Sequence, residues 1–326
     1  MATITTDTGL CAQALRVGKL VAFGTETVYG LGANALDPQA VARIFAAKDR
    51  PEFDPLIVHL AHAKQVPTIA DVNSPYIPTL VERFWPGPLT LLLPRKDCIP
   101  DLVTSGLPEV GVRVPRHPLA LELLSAAGIP VAAPSANLFG RISPTTAQHV
   151  QDQLGNRIDW ILDGGSCQVG IESTVLRVDA DGHGTVLRPG GVTLEDLQTV
   201  LPQVTLAPGL LESQAAASPG QLLKHYAPRK PLRIVSDWSA HPTVTNAVGL
   251  VLDSPPPGTF VAIEVLAPDS SLVTAAANFF AALRRLDAGP GEVILAEPFP
   301  QYGLGIALND RLRRAATGSG EISRTD

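Results

Sequence analysis

Residues 19–60 read KLVAFGTETVYGLGANALDPQAVARIFAAKDRPEFDPLIVHL. The apolar run Leu20 to Phe23 is short enough for a buried strand, and it ends in Gly24-Thr25-Glu26-Thr27, where hydroxyls and a carboxylate interrupt the pattern. A polar glycine-rich turn leaving a buried strand is where a site forms. Asp37-Pro38 predicts a helix start, with Asp as N-cap and Pro at the first position, and Val41, Ile44 and Phe45 then share one face. Pro51 biases Arg50 out of helical geometry. Lys48 and Arg50 therefore straddle the helix end, with both cations free to converge on one anion. Leu56 to Leu60 completes a strand–helix–strand unit.

Outward from this stretch the alternation continues. Gly9 to Val17 reads as a helix feeding the first strand, and Pro78 to Trp85 as one that breaks at Pro86-Gly87-Pro88. Leu89 to Leu93 and Val110 to Val114 are strands, the second carrying Arg113, and a helix spans Leu119 to Ala127. Val131 to Asn137 runs from a strand of small residues into a turn, and Ser143-Pro144-Thr145-Thr146 opens a helix through Val150. Trp160 to Leu162, Val175 to Val178 and Thr185 to Leu187 predict hairpin-rich additions to the sheet, and Thr193 caps a helix through Leu201. Residues 202–230, with no sustained period, read as a linker. Beyond it, strands at Leu232, Gly249, Phe260 and Glu292 and helices at Leu272–Leu286 and Gly303–Ala316 predict a second, smaller α/β domain over 231–326.

Composition narrows the function. With 326 residues, 45% of them hydrophobic, the chain has material for packed cores. Its formal charge of −6 argues against a broad cationic nucleic-acid surface while leaving room for a local basic cleft. The three cysteines, Cys11, Cys98 and Cys167, lie far apart without metal-ligand spacing. Neither a signal peptide nor an apolar run of membrane-spanning length is present, so the expectation is a cytoplasmic protein with reduced thiols.

A pair of cations at a helix end is by itself most simply a solvated terminus that complements the helix dipole. Here Arg113 interrupts an otherwise apolar strand, and a buried guanidinium requires a cleft or a carboxylate. Thr25, Thr27, Ser135, Ser143 and Ser173 each suit an ordinary cap, but together they leave strand ends, where open α/β sheets bind ligands. No zinc, P-loop or Ser-His-Asp pattern accompanies them. Cations, hydroxyls and small residues without an activated nucleophile suit phosphoryl or nucleotidyl transfer, in which the protein positions reactants and neutralises phosphate charge.

At TETVYGLG, KDRPEFDPLIVH, FWPGPLT, VGVRVP, PSAN, SPTTA, ESTV and LRPG, and again at SPGQLLKHYAP and GLGIALNDRLRRAA, the chain resembles the YrdC/Sua5 family of threonylcarbamoyl-AMP synthases in its long, two-domain form. The resemblance implies a YrdC-like twisted mixed α/β sheet around a basic cleft over residues 1–201. It implies a linker acting as a lid over 202–230 and a Rossmann-like Sua5 domain over 231–326. The implied reaction joins L-threonine, bicarbonate or CO2, and ATP into L-threonylcarbamoyl-AMP and pyrophosphate. Mg²⁺ is expected on the ATP phosphates with no direct protein ligand. The product is expected to pass to tRNA threonylcarbamoyl-transferase machinery for t6A modification, with RNA contact a further expectation. Matching motif to motif implies Lys48 and Arg50 as catalytic residues and ATP ligands. Asp54, Ser135, Ser143, Arg188 and Tyr226 are implied on the ATP side, and Thr27, His59, Arg113, Ala133 and Ser173 around threonine. Asp54 stands where many relatives have Asn, and Glu109 where they often have Thr. The competing reading is a non-catalytic double-stranded RNA or tRNA-binding module that uses the same basic cleft; a hydrogenase-maturation carbamoyltransferase is disfavoured because its acylphosphatase and zinc-finger regions are missing.

Overall fold

The computed structural model describes residues 1–51, 54–208, 225–238 and 246–318. These divide into two compact units, one made of the described residues within 1–139 and 143–208, the other of those within 140–142 and 225–318. The first unit opens with β1 (Thr3–Thr5), α1 (Thr8–Arg16), β2 (Val21–Phe23), β3 (Gly30–Asn34), α2 (Pro38–Lys48) and β4 (Ile57–His59). A 3-10 segment (Ala63–Thr68) leads to α3 (Ile77–Phe84), β5 (Leu89–Pro94), α4 (Asp101–Thr104), β6 (Glu109–Arg113), α5 (Pro118–Ala127) and β7 (Val131–Ala132). Then come α6 (Ala147–Leu154), β8 (Trp160–Leu162), β9 (Thr174–Val178), β10 (Gly184–Arg188), α7 (Leu194–Gln198) and β11 (Val204–Leu206).

These strands form one mixed sheet in the order β1-β8-β2-β3-β7-β4-β6-β5-β9-β10-β11. Strand residues alternate between faces, and β2 shows the result. Val21 and Phe23 join a core with Leu15 of α1 and Leu123 of α5, while Ala22 joins another with Ile44 of α2 and Val58 of β4. Helices thus cover both faces, and the site strands are buried on each side. Helix α2 starts as its sequence dictates, with the Asp37 side chain accepting from the Gln39 N–H and Pro38 in the first turn. It ends at Asp49, whose φ of 52° is left-handed and turns the chain toward Arg50.

Three local expectations are corrected. The stretch after Thr27, read as part of a polar turn, contains β3, which pairs antiparallel with β2. Its glycines serve packing: a Cβ on Gly32 would lie 2.9 Å from both Phe23 Cε1 and Val131 Cγ1. The helix expected from Ser143 starts at Ala147, because Thr146 is extended and its side chain accepts from the His149 N–H as N-cap. Residues 204–206, assigned to the linker, add β11 in parallel to β10; residues 209–224, most of the expected lid, lie outside those described.

The second unit contains β12 (Leu232–Ile234), β13 (Ala247–Val251), β14 (Ala262–Val265), α8 (Leu272–Ala288), β15 (Val293–Ala296) and α9 (Leu304–Gly318). Its sheet is wholly parallel in the order β12-β15-β13-β14. Parallel strands require buried faces, and every residue of β13 and β15 is buried. Among the described residues no helix is long and apolar enough to cross a membrane.

Candidate active site

Strands β4 and β6 run parallel with His59 opposite Arg113, so both side chains leave the sheet at the carboxyl ends of neighbouring strands. Arg113 is 3% exposed. Its Nε donates to the Gly87 carbonyl at 3.1 Å, its Nη1 to Thr27 Oγ1 at 2.9 Å, and its Nη2 lies 2.7 Å from Glu26 Oε1. The carboxylate needed by a buried guanidinium is therefore Glu26, in the turn after β2. Thr25 shapes that turn, its hydroxyl donating to the Val28 carbonyl at 2.6 Å while lying 2.8 Å from Thr27 Oγ1.

Burial first, and the Arg113 charge second, push the His59 imidazole down to about 3. The ring is neutral throughout the physiological range. An unfolded histidine titrates near 6.5 and so binds a proton that the folded state refuses. The sign follows: this contribution to stability is present above about 6.5 and is lost as pH falls from there toward 3. In an NMR titration the His59 ring signals should stay fixed from pH 8 to 5 in the folded protein, whereas a midpoint near 6.5 would contradict the buried, neutral assignment.

Lys48 and Arg50 do not sit free at a solvated helix end. Lys48 is 1% exposed; its Nζ donates to the Asn137 carbonyl at 2.5 Å and also to the Ser135 carbonyl. Burial, reinforced by the Arg50 charge and opposed by Asp54, lowers its pKa well below the ordinary lysine value. Arg50 has a different set of partners. Its Nη2 lies 2.9 Å from Asp54 Oδ2 and donates to the Pro55 carbonyl at 2.9 Å, while Nε donates to the Asp54 carbonyl at 3.2 Å. The carboxylate of Asp54 thus neutralises the adjacent guanidinium, and Glu109 does the same for Arg177 on β9, at 2.9 Å from Nε.

A second hydroxyl-rich group lies around β9. Ser173 Oγ is 2.8 Å from Thr90 Oγ1 and accepts from Arg188 Nη2 at 3.1 Å, and the Ser173 carbonyl accepts from Arg188 Nε at 3.1 Å. Ser143 donates to Glu172 at 2.6 Å. Gly190 lets the following turn approach closely, since a Cβ there would lie 2.3 Å from the Glu172 carbonyl oxygen. Ala133 continues β7 by donating its N–H to the Ile57 carbonyl at 2.9 Å, and Ser135 bridges to Gly30.

The structure therefore gathers Thr27, His59 and Arg113 into one group, Lys48 with the Ser135 backbone into a second, and Ser173 with Arg188 into a third. Tyr226 belongs to the second unit. There it is fully buried at φ 63°, with its ring 5.3 Å from Phe280 and the Arg311 guanidinium 5.7 Å from its centroid. Sequence reasoning passed over Glu26, Thr90, Asn137 and Glu172 as site residues. A signal existed for the two glutamates: Glu26-Thr27 and Glu172-Ser173 both place a carboxylate directly before a site hydroxyl.

This geometry defines an α/β protein with buried cations and hydroxyls gathered at strand ends, where open α/β sheets bind ligands. The chain belongs to the Sua5/YrdC family. A family model described as "Telomere recombination" matches residues 13–190, and one described as "Threonylcarbamoyl-AMP synthase, C-terminal domain" matches 192–317. The threonylcarbamoyl-AMP synthase of Pyrococcus abyssi is 40% identical over 324 residues, covering 94% of this chain and 93% of the relative. That of Bacillus subtilis is 42% identical over 319 residues, covering 94% and 92%. The crystal structure of P. abyssi Sua5 complexed with L-threonine matches with a TM-score of 0.89 at 37% identity over 98% of both chains. Escherichia coli YciO, at 24% identity and a TM-score of 0.51, covers 58% of this chain and 96% of its own, a likeness of fold alone.

Proposed function

We propose that this chain is a threonylcarbamoyl-AMP synthase, an enzyme that transfers AMP from ATP to threonine-derived carbamate. The observation that carries the reading is likeness to threonylcarbamoyl-AMP synthases along nearly the whole of both chains, at 40–42% identity. The Arg113 group supplies the chemistry for one substrate. Each guanidinium Nη carries two N–H bonds, so partners at Thr27 and Glu26 leave donors for the paired oxygens of the L-threonine carboxylate. Neutral His59 adds no charge beside it.

The carbamate oxygen formed from threonine's nitrogen and CO2 attacks the α-phosphorus, and pyrophosphate leaves. Lys48 uses two of its three N–H bonds on carbonyls, and the third is available for the phosphates. Arg50, Asp54, Ser135, Ser143 and Arg188 are proposed on the ATP side, and Thr27, Ala133 and Ser173 with threonine. Asp54 and Glu172 are each engaged by a protein group, and Glu26 faces the Arg113 guanidinium. Such a donor set fits magnesium carried in on the ATP phosphates, with water completing its shell. Transfer of the product to tRNA-modifying machinery, contact with RNA and residence in the cytoplasm belong to the same proposal.

Purified protein supplied with MgATP, L-threonine and bicarbonate should release threonine-dependent pyrophosphate and form threonylcarbamoyl-AMP, detectable by mass spectrometry. Absence of both across a range of Mg²⁺, together with salt-sensitive RNA binding that survives saturating ATP and threonine, would instead favour the RNA-binding reading.

A further inference from the structure

We propose that Glu26 recognises the ammonium group of L-threonine, so that Glu26 and Arg113 together read the amino acid as a zwitterion. The inference rests on the synthase reading and assigns a role to a residue outside the set read from the motifs.

Glu26 and Arg113 attract without fully engaging one another. Oε1 lies 2.7 Å from Nη2, yet both Glu26 oxygens and Arg113 Nη2 lack an aligned hydrogen bond among the described residues. Glu26 is 2% exposed and Arg113 3%, so neither group is open to bulk solvent. A buried ion pair serving structure alone stabilises best when its remaining lone pairs and protons are hydrogen-bonded. This pair keeps carboxylate acceptors and guanidinium donors in reserve, side by side. An α-amino acid presents the complementary pattern, a carboxylate and an ammonium one carbon apart.

The turn is otherwise fixed. The Glu26 carbonyl accepts from the Val169 N–H at 2.7 Å, and Thr27 is tied to Arg113, so the carboxylate is held on a rigid backbone. The neighbouring titratable groups cannot replace its charge. His59 is neutral, and burial, with Glu26's own charge as the second cause, raises the Cys167 thiol and keeps it protonated. Carbamoylation requires the ammonium to release two protons to solvent, one to expose the lone pair that attacks CO2 and one as the carbamate N–H forms; the nitrogen then carries no positive charge, so this contact is specific to the incoming substrate and weakens as product forms.

The test is isothermal titration of full-length wild type, Glu26→Gln and Glu26→Asp with L-threonine and, by competition, with 3-hydroxybutanoate, which is threonine without its amine. Wild type should prefer threonine at least tenfold. Glu26→Gln should lose at least tenfold in threonine affinity while binding 3-hydroxybutanoate within twofold of wild type, and Glu26→Asp, which retains the charge, should keep the preference for threonine. Equal losses of both ligands in Glu26→Gln would show that Glu26 acts only through Arg113, and unchanged threonine affinity would show no role; either overturns the proposal. If Glu26→Gln fails to fold by circular dichroism, absence of a threonine preference in wild type overturns it alone. Wild type that neither binds threonine nor releases pyrophosphate sinks the synthase reading as well, whereas an active wild type with an unaffected Glu26→Gln sinks only this inference.

Discussion

Replacing Arg50 by alanine is expected to destabilise the first unit by about 3–5 kcal/mol, the usual cost of breaking a buried ion pair from one side. Asp54 is 0% exposed and its carboxylate is 2.9 Å from the guanidinium, so the variant leaves a buried anion without that counter-charge. The same change frees the Asp54 and Pro55 carbonyls that Arg50 now binds. The measurement is the shift in urea midpoint for the transition that includes the first unit. Arg50→Ala combined with Asp54→Asn should recover at least half of the loss, because the neutral amide has little desolvation cost as a charge. Equal losses in the single and double variants would show that the carbonyl contacts, and not the ion pair, carry the stability. Asp54 thus acts as the counter-ion to a buried cation.

The second large effect is on turnover. Lys48→Ala is expected to lower kcat/KM for pyrophosphate release at least tenfold, about 1.4 kcal/mol of barrier. Two causes combine, since the ammonium proposed to face the phosphates is removed and the Ser135 and Asn137 carbonyls lose their common donor. The pH dependence separates them. Lys48 deprotonates well below the ordinary lysine range, so wild-type activity should fall as pH rises through that lowered value, and the alkaline limb should be absent from the residual activity of Lys48→Ala. Unchanged turnover would remove Lys48 from the mechanism.

Much of the fold was legible because its signals are local. Asp37-Pro38 fixed the start of α2 through a cap within two residues, and the apolar runs at Leu89, Val110 and Trp160 each became a strand. Strand β3 was not legible, since glycine reads as a turn until the facing side chains are known, and those are Phe23 and Val131. The same division holds for the site. Arg113 in an apolar strand announced a buried charge needing a partner, but the identity of that partner depends on the turn after β2 meeting β6, 86 residues apart at Thr27 and Arg113. The burial of the cations at the end of α2 was not legible at their own positions, because their spacing says nothing of the carbonyls of residues 135 and 137, which only tertiary structure brings to Lys48. Tyr226 lay beyond local reasoning for the same cause, its surroundings being Phe280 and Arg311.

Strand β7 is only two residues long, yet it pairs with β3 on one side and β4 on the other before the chain turns into the carbonyls that Lys48 holds. A slip of one residue in a strand exchanges its two faces. Here it would carry Val131 out of the core it shares with Phe23 and displace the 135 and 137 carbonyls from the ammonium. Among the described residues the outer strands β1 and β11 each have a single neighbour and no such double constraint. Length variation is therefore tolerable at the sheet's edges and forbidden at its centre, so the chain's freedom to diverge is apportioned by strand position.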